Sequence, residues 1–203
     1  MKYFSILLLT FNLTFTADWV DLGSSEPREY QKTLLSSTPD NIKLEFSMFG
    51  YYQTLVETNQ GQAYIIDAGN GSSILREGTP DLDKITASVA IPNETNMNYR
   101  IVSAEYTDIE NIIIAPSKGN ISREVNPNTI PYSWGTIYNQ NQFYPNQLAE
   151  LSTPYILRDL RGQTVIIYPF QYNPVTQTLR VYTNIVIDIY KDGVNNINSI
   201  QKE

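Results

Sequence analysis

Two apolar runs near the C-terminus constrain the fold most strongly. They are QTVIIYPFQY (residues 163–172) and TLRVYTNIVIDIY (178–190), and the polar segment NPVTQ separates them. In the second run every other residue, from position 179 to position 189, belongs to one set: Leu179, Val181, Thr183, Ile185, Ile187 and Ile189. Since side chains alternate between the two faces of a strand, this set shares one face. The two runs therefore predict an antiparallel hairpin with one buried face.

Further strand patterns follow one another along the chain at short spacing. IKLEFSMFGYYQTLVE (42–57), AYIIDA (63–68) and ITASVAIP (85–92) are each bounded by Gly, Pro or Asn. Residues 25–37 and 144–151 contain helix-forming residues, but their apolar periodicity is weak. About eight short strands with polar turns predict an all-β fold, an antiparallel β-sandwich of jelly-roll-like type with short helical turns at most.

The 203-residue chain divides into four predicted segments. Residues 1–17 have a basic start, an apolar stretch and small residues at a cleavage point, which predicts a signal peptide and export to the periplasm, cell surface or medium. Residues 18–41 are an N-terminal extension, and residues 42–190 form the sandwich. Residues 191–203 lose their apolar content, and we expect a flexible tail or linker there.

The residues that are missing exclude several functions. The chain has no cysteine and no histidine, which excludes Cys-His and Ser-His-Asp catalysis, the usual zinc sites and haem ligation. The formal net charge of −7 argues against nucleic-acid binding through a basic patch, and no apolar run is long enough to span a membrane. We expect no catalysis, no cofactor and no metal.

Four weaker possibilities remain. Ser117 and Lys118 are adjacent, but neighbours in an extended segment point to opposite sides, which makes a poor catalytic dyad. Asp81 and Asp83 lack the other ligands of a calcium loop, and we interpret them as a solvated turn. Fifteen tyrosines suggest an alternative function, a secreted carbohydrate-binding module. A hydrolase using paired carboxylates is the weakest alternative, because no spacing singles out two acids.

One loop presents positive charge in this acidic chain. It runs through SKGNISREVNPNTIPYSWG (117–135), directly after the apolar residues 112–115, and it carries Lys118 and Arg123. A planar guanidinium pairs with a carboxylate through two parallel hydrogen bonds, so an exposed Arg123 raises the question of which group meets it. The alternative is a solvated arginine, or one paired with Glu124.

Three segments together resemble the N-terminal propeptide of the gingipain-type cysteine peptidases, peptidase family C25. They are LREGTPDLDKITASVAIP (75–92), IENIIIAPSKGNISREVNPNTIPYSWG (109–135) and the stretch from PYILRDLRG to NIVIDI (154–189). The last is the most specific, because it joins Arg-Asp-x-Arg-Gly to Pro-Phe-Gln-Tyr-Asn-Pro. The resemblance covers about residues 42–190.

The resemblance implies a β-sandwich that keeps a gingipain-like cysteine protease catalytic domain latent by covering its active-site cleft. It also implies that a loop offers an arginine to the specificity pocket, and that the domain assists folding of the enzyme. The matching loop residues here are Arg123 with Ser122, Glu124 and Lys118, and aromatic anchors are expected at Tyr132 and Trp134.

Two features near the C-terminal half need separate interpretation. Arginine-specific relatives carry an arginine at the boundary with the enzyme, whereas this tail offers Lys202. A fragment of a longer precursor, a lysine-processed relative and a free-standing inhibitor all stay open. In the motif at 158–162, we expect Arg158 and Asp159 to fix the entry into the hairpin by hydrogen bonds, with Gly162 permitting a bend. The alternative is that Arg158, Asp159 and Arg161 form a charged patch facing the protease.

Overall fold

Thirteen strands and two short 3₁₀ helices make up the protein, for which a computed structural model describes residues 17–201. The 3₁₀ helices are Pro127–Thr129 and Thr136–Asn139. The strands in chain order are β1 (Asp18–Asp21), β2 (Gln31–Ser37), β3 (Asn41–Ser47), β4 (Gly50–Thr58), β5 (Gly61–Asp67), β6 (Ser72–Ser73), β7 (Asp83–Ala90), β8 (Thr95–Ile109), β9 (Ala149–Leu151), β10 (Tyr155–Leu157), β11 (Leu160–Ile167), β12 (Phe170–Asn173) and β13 (Thr178–Val194).

The strands form three antiparallel sheets. The largest has the order β12-β13-β3-β2, and β8 runs along the other side of β13. A second sheet has the order β10-β11-β7-β6 with β9 paired to β11, and a third has the order β1-β4-β5. Each sheet supplies buried residues to a single hydrophobic core, for example Ile187, Ile85 and Tyr51, so the sheets pack face to face.

Only the end of the predicted C-terminal hairpin is present, as β12 and β13. Residues 163–167 of the first run belong instead to β11, which pairs with β7 and β9 in the second sheet. Phe170 pairs with Val181 and Asn173 pairs with Thr178, with residues 174–177 as the turn. Asn173 Oδ1 accepts hydrogen bonds from the amides of Val175 and Thr176, which closes the turn. The all-β, antiparallel sandwich class is thereby confirmed.

Both segments with helix-forming residues lack a helix. Residues 31–37 form β2, an edge strand whose residues are all exposed. Residues 144–151 begin with a cis peptide bond between Tyr144 and Pro145 and end in β9. No helix within residues 17–201 is long and apolar enough to cross a membrane.

The segment boundaries drawn from the sequence stay a prediction, but the structure adds to them. The expected N-terminal extension contributes β1 and β2 to two of the sheets. Order does not fade after Lys191, because β13 continues to Val194 and later residues are hydrogen-bonded to the body of the domain. Nearly all of the predicted signal peptide, and Lys202, lie outside the described residues.

Candidate functional site

The candidate site is a long irregular loop, residues 117–135, which we call the arginine loop. Both of its ends are fastened to the same short segment, residues 78–79. Ser117 N donates to Thr79 O at 2.7 Å, and Gly78 N donates to Ser117 O at 3.0 Å. At the other end, Gly135 N donates to Gly78 O at 3.0 Å. The two stems of the loop are therefore held side by side.

Glycine is required where the stems meet. Gly78 has a φ of +75°, in the left-handed region that favours glycine. A Cβ at Gly135 would lie 2.5 Å from the carbonyl oxygen of Gly78, closer than two such atoms can approach. These two glycines allow the loop to close into a narrow neck.

Arg123 lies at the tip of the loop, in a tight turn. Val125 N donates to Ser122 O at 3.0 Å, which places Arg123 and Glu124 at the corner of the turn. All four residues are exposed. The ion pairs formed within residues 17–201 do not involve Arg123. The alternative pairing with Glu124 is thus not made, and the guanidinium is free to meet another molecule.

Lys118 braces the loop from inside. Its Nζ donates to Pro127 O at 2.9 Å and lies 4.2 Å from the centre of the Tyr132 ring. The lysine therefore connects the rising arm of the loop to the returning arm, where it also makes a cation–π contact. This position differs from that of Arg123: Lys118 supports the loop, whereas Arg123 projects from it.

Tyr132 and Trp134 attach the returning arm to the sandwich. Trp134 Nε1 donates to Asn59 Oδ1 at 2.9 Å, on the turn between β4 and β5. Its ring packs edge-on against Tyr138, with ring centroids 4.6 Å apart. Burial, with a smaller contribution from Asp81, raises the pKa of Tyr132 above its ordinary value. Both aromatic side chains are half-buried, and their expected contact with a partner stays a prediction.

A shallow hollow lies between the returning arm and the end of β4. It is lined by Val56, Glu57, Asn59, Lys118, Ile130 and Tyr132, among others. Its lining combines apolar side chains with one acidic residue, Glu57, and one basic residue, Lys118.

Asp81 carries a partly buried carboxylate at the base of the loop. Its backbone amide donates to Ala115 O at 2.8 Å, just before the loop begins. Burial raises the pKa of Asp81 to about 6, and the positive charge of Lys118 opposes that rise. Loss of solvent is the larger effect, because burial disfavours the charged form and Lys118 compensates only in part.

The weaker possibilities from the sequence lack supporting geometry. Asp83 is buried rather than solvated, which corrects the turn interpretation: it accepts hydrogen bonds from Ala68 N at 3.1 Å and Ser73 Oγ at 3.0 Å. No group of three potential metal-ligating residues occurs in the described part of the chain. Ser117 is buried and its Oγ accepts a hydrogen bond from Gly119 N, while Lys118 is engaged across the loop.

Tyrosines do not form a flat platform on the large sheet. Tyr106 is half exposed, but its ring meets that of Tyr182 at an interplanar angle of 63°. Arg180 lies over the face of Tyr106 and makes a two-pronged ion pair with Asp108. Sugar-binding platforms need coplanar exposed rings, so this surface does not favour the carbohydrate alternative.

Arg161 is a residue whose role the sequence did not indicate. The sequence predicts that Arg158 and Asp159 fix the chain here, but within residues 17–201 their side chains make no hydrogen bond, and the bonds at this motif come from Arg161. Arg161 is only 2% exposed and donates to backbone carbonyls. Gly162 is needed for close packing and not for a bend. A Cβ at this position would lie only 2.8 Å from the ring of Tyr155.

Comparison with known proteins gives concordant results. The sequence matches the Propeptide_C25 family over residues 24–202. Gingipain R2 of Porphyromonas gingivalis is 41% identical over 173 residues, which are 85% of this chain and 24% of gingipain R2. Gingipain R1 of the same species is 39% identical over 171 residues, or 84% of this chain and 17% of gingipain R1. The chain therefore spans a quarter or less of the length of these relatives.

Solved structures agree on the fold. The complex of RgpB pro- and mature domains from Porphyromonas gingivalis contains a chain with 40% identity and a TM-score of 0.82, with 87% of this chain and 93% of that chain covered. A structure on zymogenic latency of gingipain K, from the same species, has a TM-score of 0.73 at 19% identity and shows the shared fold, with 88% and 100% covered. The resemblance found in the sequence is confirmed: the chain belongs to the Propeptide_C25 family, the non-catalytic pro-segments of gingipain-type cysteine peptidases.

Proposed function

We propose that this domain keeps a gingipain-like cysteine protease latent by binding its catalytic domain and placing Arg123 in the specificity pocket. The single observation that carries the proposal is the position of Arg123, which is exposed in the turn at the tip of the arginine loop. Family membership and the solved complex of the related pro- and mature domains support the choice of partner.

The braced loop lowers the cost of binding. A flexible arginine loop would lose conformational entropy on docking, at about 1–2 kcal/mol for each residue ordered. Here the neck at Gly78 and Gly135, and the bridge from Lys118 to Pro127, order much of the loop before any partner arrives. The binding energy of the guanidinium is therefore available for the complex itself.

Arginine suits a pocket that contains a carboxylate. Its planar group makes two parallel charge-assisted hydrogen bonds, and lysine in the same place makes only point-charge contacts. The surface around Arg123 would form the rim of an interface of ordinary size, about 1,600 Å². The hollow beside Tyr132 lies next to the loop and is a part of that rim.

The same proposal includes export. The predicted signal peptide at residues 1–17 would direct a bacterial precursor out of the cytoplasm. Assistance with folding of the catalytic domain is a further part of the proposed role.

The test is a titration of an arginine-specific gingipain-type peptidase with the purified domain, next to a lysine-specific one. We expect selective, saturable inhibition of the arginine-specific enzyme. Arg123→Ala should weaken inhibition about 100-fold, because truncating a central arginine at an interface costs about 2–4 kcal/mol. Arg158→Ala, at an exposed arginine on a distant hairpin, is the matched control and should inhibit as the unmodified domain does.

The outcomes separate the alternatives. Full inhibition by Arg123→Ala would show that the domain blocks the cleft by steric cover without filling the pocket. Absence of inhibition of either enzyme at micromolar concentration would contradict the latency role.

A further inference from the structure

The guanidinium of Arg161 fastens the C-terminal segment to the body of the domain. It makes six hydrogen bonds of 2.8–3.3 Å, and all of them go to backbone carbonyl oxygens. The acceptors belong to Pro92, Thr95, Asn195, Ile197 and Asn198. Every nitrogen of the group therefore donates, and one residue joins the loop before β8 to the segment after β13.

Asn93 makes a second fastening from the loop between β7 and β8. Its Nδ2 donates to Ile200 O at 3.0 Å, and its Oδ1 accepts from Ile200 N at 2.8 Å. The side-chain amide thus satisfies both backbone groups of Ile200, as a neighbouring strand would. Asn195 N donates to Glu94 O at 3.0 Å, and Asn198 Nδ2 donates to Pro154 O at 2.7 Å.

The charge of Arg161 makes the fastening cooperative. The ion pairs within residues 17–201 do not include it, so carbonyl dipoles alone compensate its buried charge. Burial lowers the pKa of Arg161, as expected for a cation removed from water. If residues 195–198 left, the guanidinium would lose three of its five acceptor residues and stay partly buried without them. Releasing this segment therefore carries a penalty beyond the bonds themselves.

We propose that Arg161 and Asn93 form a clasp that makes residues 195–200 part of the folded domain and confines proteolytic processing near the C-terminus to bonds beyond Ile200. An endoprotease needs a locally unfolded segment, and its rate follows the population of the open form. Lys191 lies within β13, paired with Met97 of β8, and the next basic residue in the sequence is Lys202. The clasp therefore protects the first of these lysines as long as the domain stays folded.

The role of the clasp in maturation rests on the proposed function, whereas its effect on proteolysis does not. The test is therefore a proteolysis experiment on the full chain that needs no catalytic domain. The probe is an endoprotease that cuts after lysine, and mass spectrometry follows cleavage after Lys43 and Lys191 separately. Lys43 lies in β3, paired on both sides by β13 and β2, so cleavage there reports global unfolding.

In the unmodified chain we expect the bond after Lys191 to be cut about as slowly as the bond after Lys43, since both lysines lie in paired strands. Arg161→Met keeps the length of the side chain but removes its donors, and it should raise the rate after Lys191 about tenfold or more. Asn93→Ala removes only the fastening of Ile200 and should raise it less, with no change after Lys43. Arg158→Met, three residues away and exposed, is the matched control and should change nothing.

Two results would overturn the proposal. One is rapid cleavage after Lys191 in the unmodified chain. The other is a rate after Lys191 that stays constant in both clasp variants, or rises only in step with the rate after Lys43. Loss of inhibition with an intact clasp would contradict the proposed function and leave the clasp standing, so the two failures are distinguishable.

Discussion

Replacing Asp81 with asparagine should stabilise the domain at neutral pH and leave it nearly unchanged in acid. The carboxylate is partly buried at the base of the arginine loop and accepts no hydrogen bond from residues 17–201. Burial, only partly offset by Lys118, raises its pKa from 3.8 to about 6. The folded chain therefore holds this proton more tightly than the unfolded chain does.

The sign and size of the effect follow from this difference in pKa. Stability from the protonated acid is fully present below pH 4 and is lost as the pH rises through about 6. At about 1.4 kcal/mol for each pH unit, the difference between the two pKa values corresponds to at most about 3 kcal/mol. Because Asp81 is not fully buried, we expect Asp81→Asn to add about 2 kcal/mol to the free energy of unfolding at pH 7.5.

Urea denaturation followed by circular dichroism at pH 4.5, 6.0 and 7.5 measures this effect. The difference between variant and unmodified chain should grow with pH. Burial also raises the pKa of Asp83, but that residue is present in both chains and its contribution cancels in the difference. Asp159→Asn, at an exposed carboxylate, is the matched control. A variant that is less stable at pH 7.5, or whose advantage is equal at every pH, would refute the assignment of burial as the dominant effect.

Two further substitutions test the core and the loop brace. Ile187→Ala removes a fully buried side chain of β13 and should lower the free energy of unfolding by about 2–5 kcal/mol. Leu34→Ala, on the exposed edge strand, is the control and should lower it by less than about 1 kcal/mol. An unchanged urea midpoint for Ile187→Ala would contradict its place in the core. Lys118→Met removes the hydrogen bond to Pro127 and the contact with the Tyr132 ring, and the looser loop should weaken inhibition about fivefold. Hydrogen exchange at the amides of residues 120–130 should become faster. Unchanged exchange would argue against a bracing role for Lys118.

The strands that alternate strongly could be predicted from the sequence, because their apolar faces meet the core directly. β13 is the clearest case: Leu179, Val181 and Ile185 are all buried. Pairing supplied by tertiary contacts could not be predicted. β2 has no buried residue, and it forms because it pairs with the edge of β3. Residues 112–115 are mostly buried, yet they form only a single β-bridge, between Ile114 and Tyr64.

The loop and its exposed tip residue could be predicted from the sequence, whereas the contacts that support the loop could not. The composition of residues 117–135 indicates a loop, and the resemblance singles out Arg123 within it. The partners that hold the loop are far away in sequence: Trp134 bonds Asn59, and Gly135 meets Gly78. Arg161 was hidden for the same reason, because nothing in the tail's polar composition shows that its carbonyl groups converge on a buried guanidinium.

One strand, β7, lies between the arginine loop and the clasp. β7 starts at Asp83, just after residues 78–79 hold the neck of the arginine loop, and ends at Ala90, just before Asn93 holds Ile200. Eight residues of extended strand span about 26 Å. Sites so far apart that share no side-chain partner behave additively, as a rule, in their effects on free energy. The projecting arginine at one end and the fastened tail at the other therefore use independent parts of the sheet, and we expect a change at Arg123 to affect the proposed pocket contact without loosening the tail.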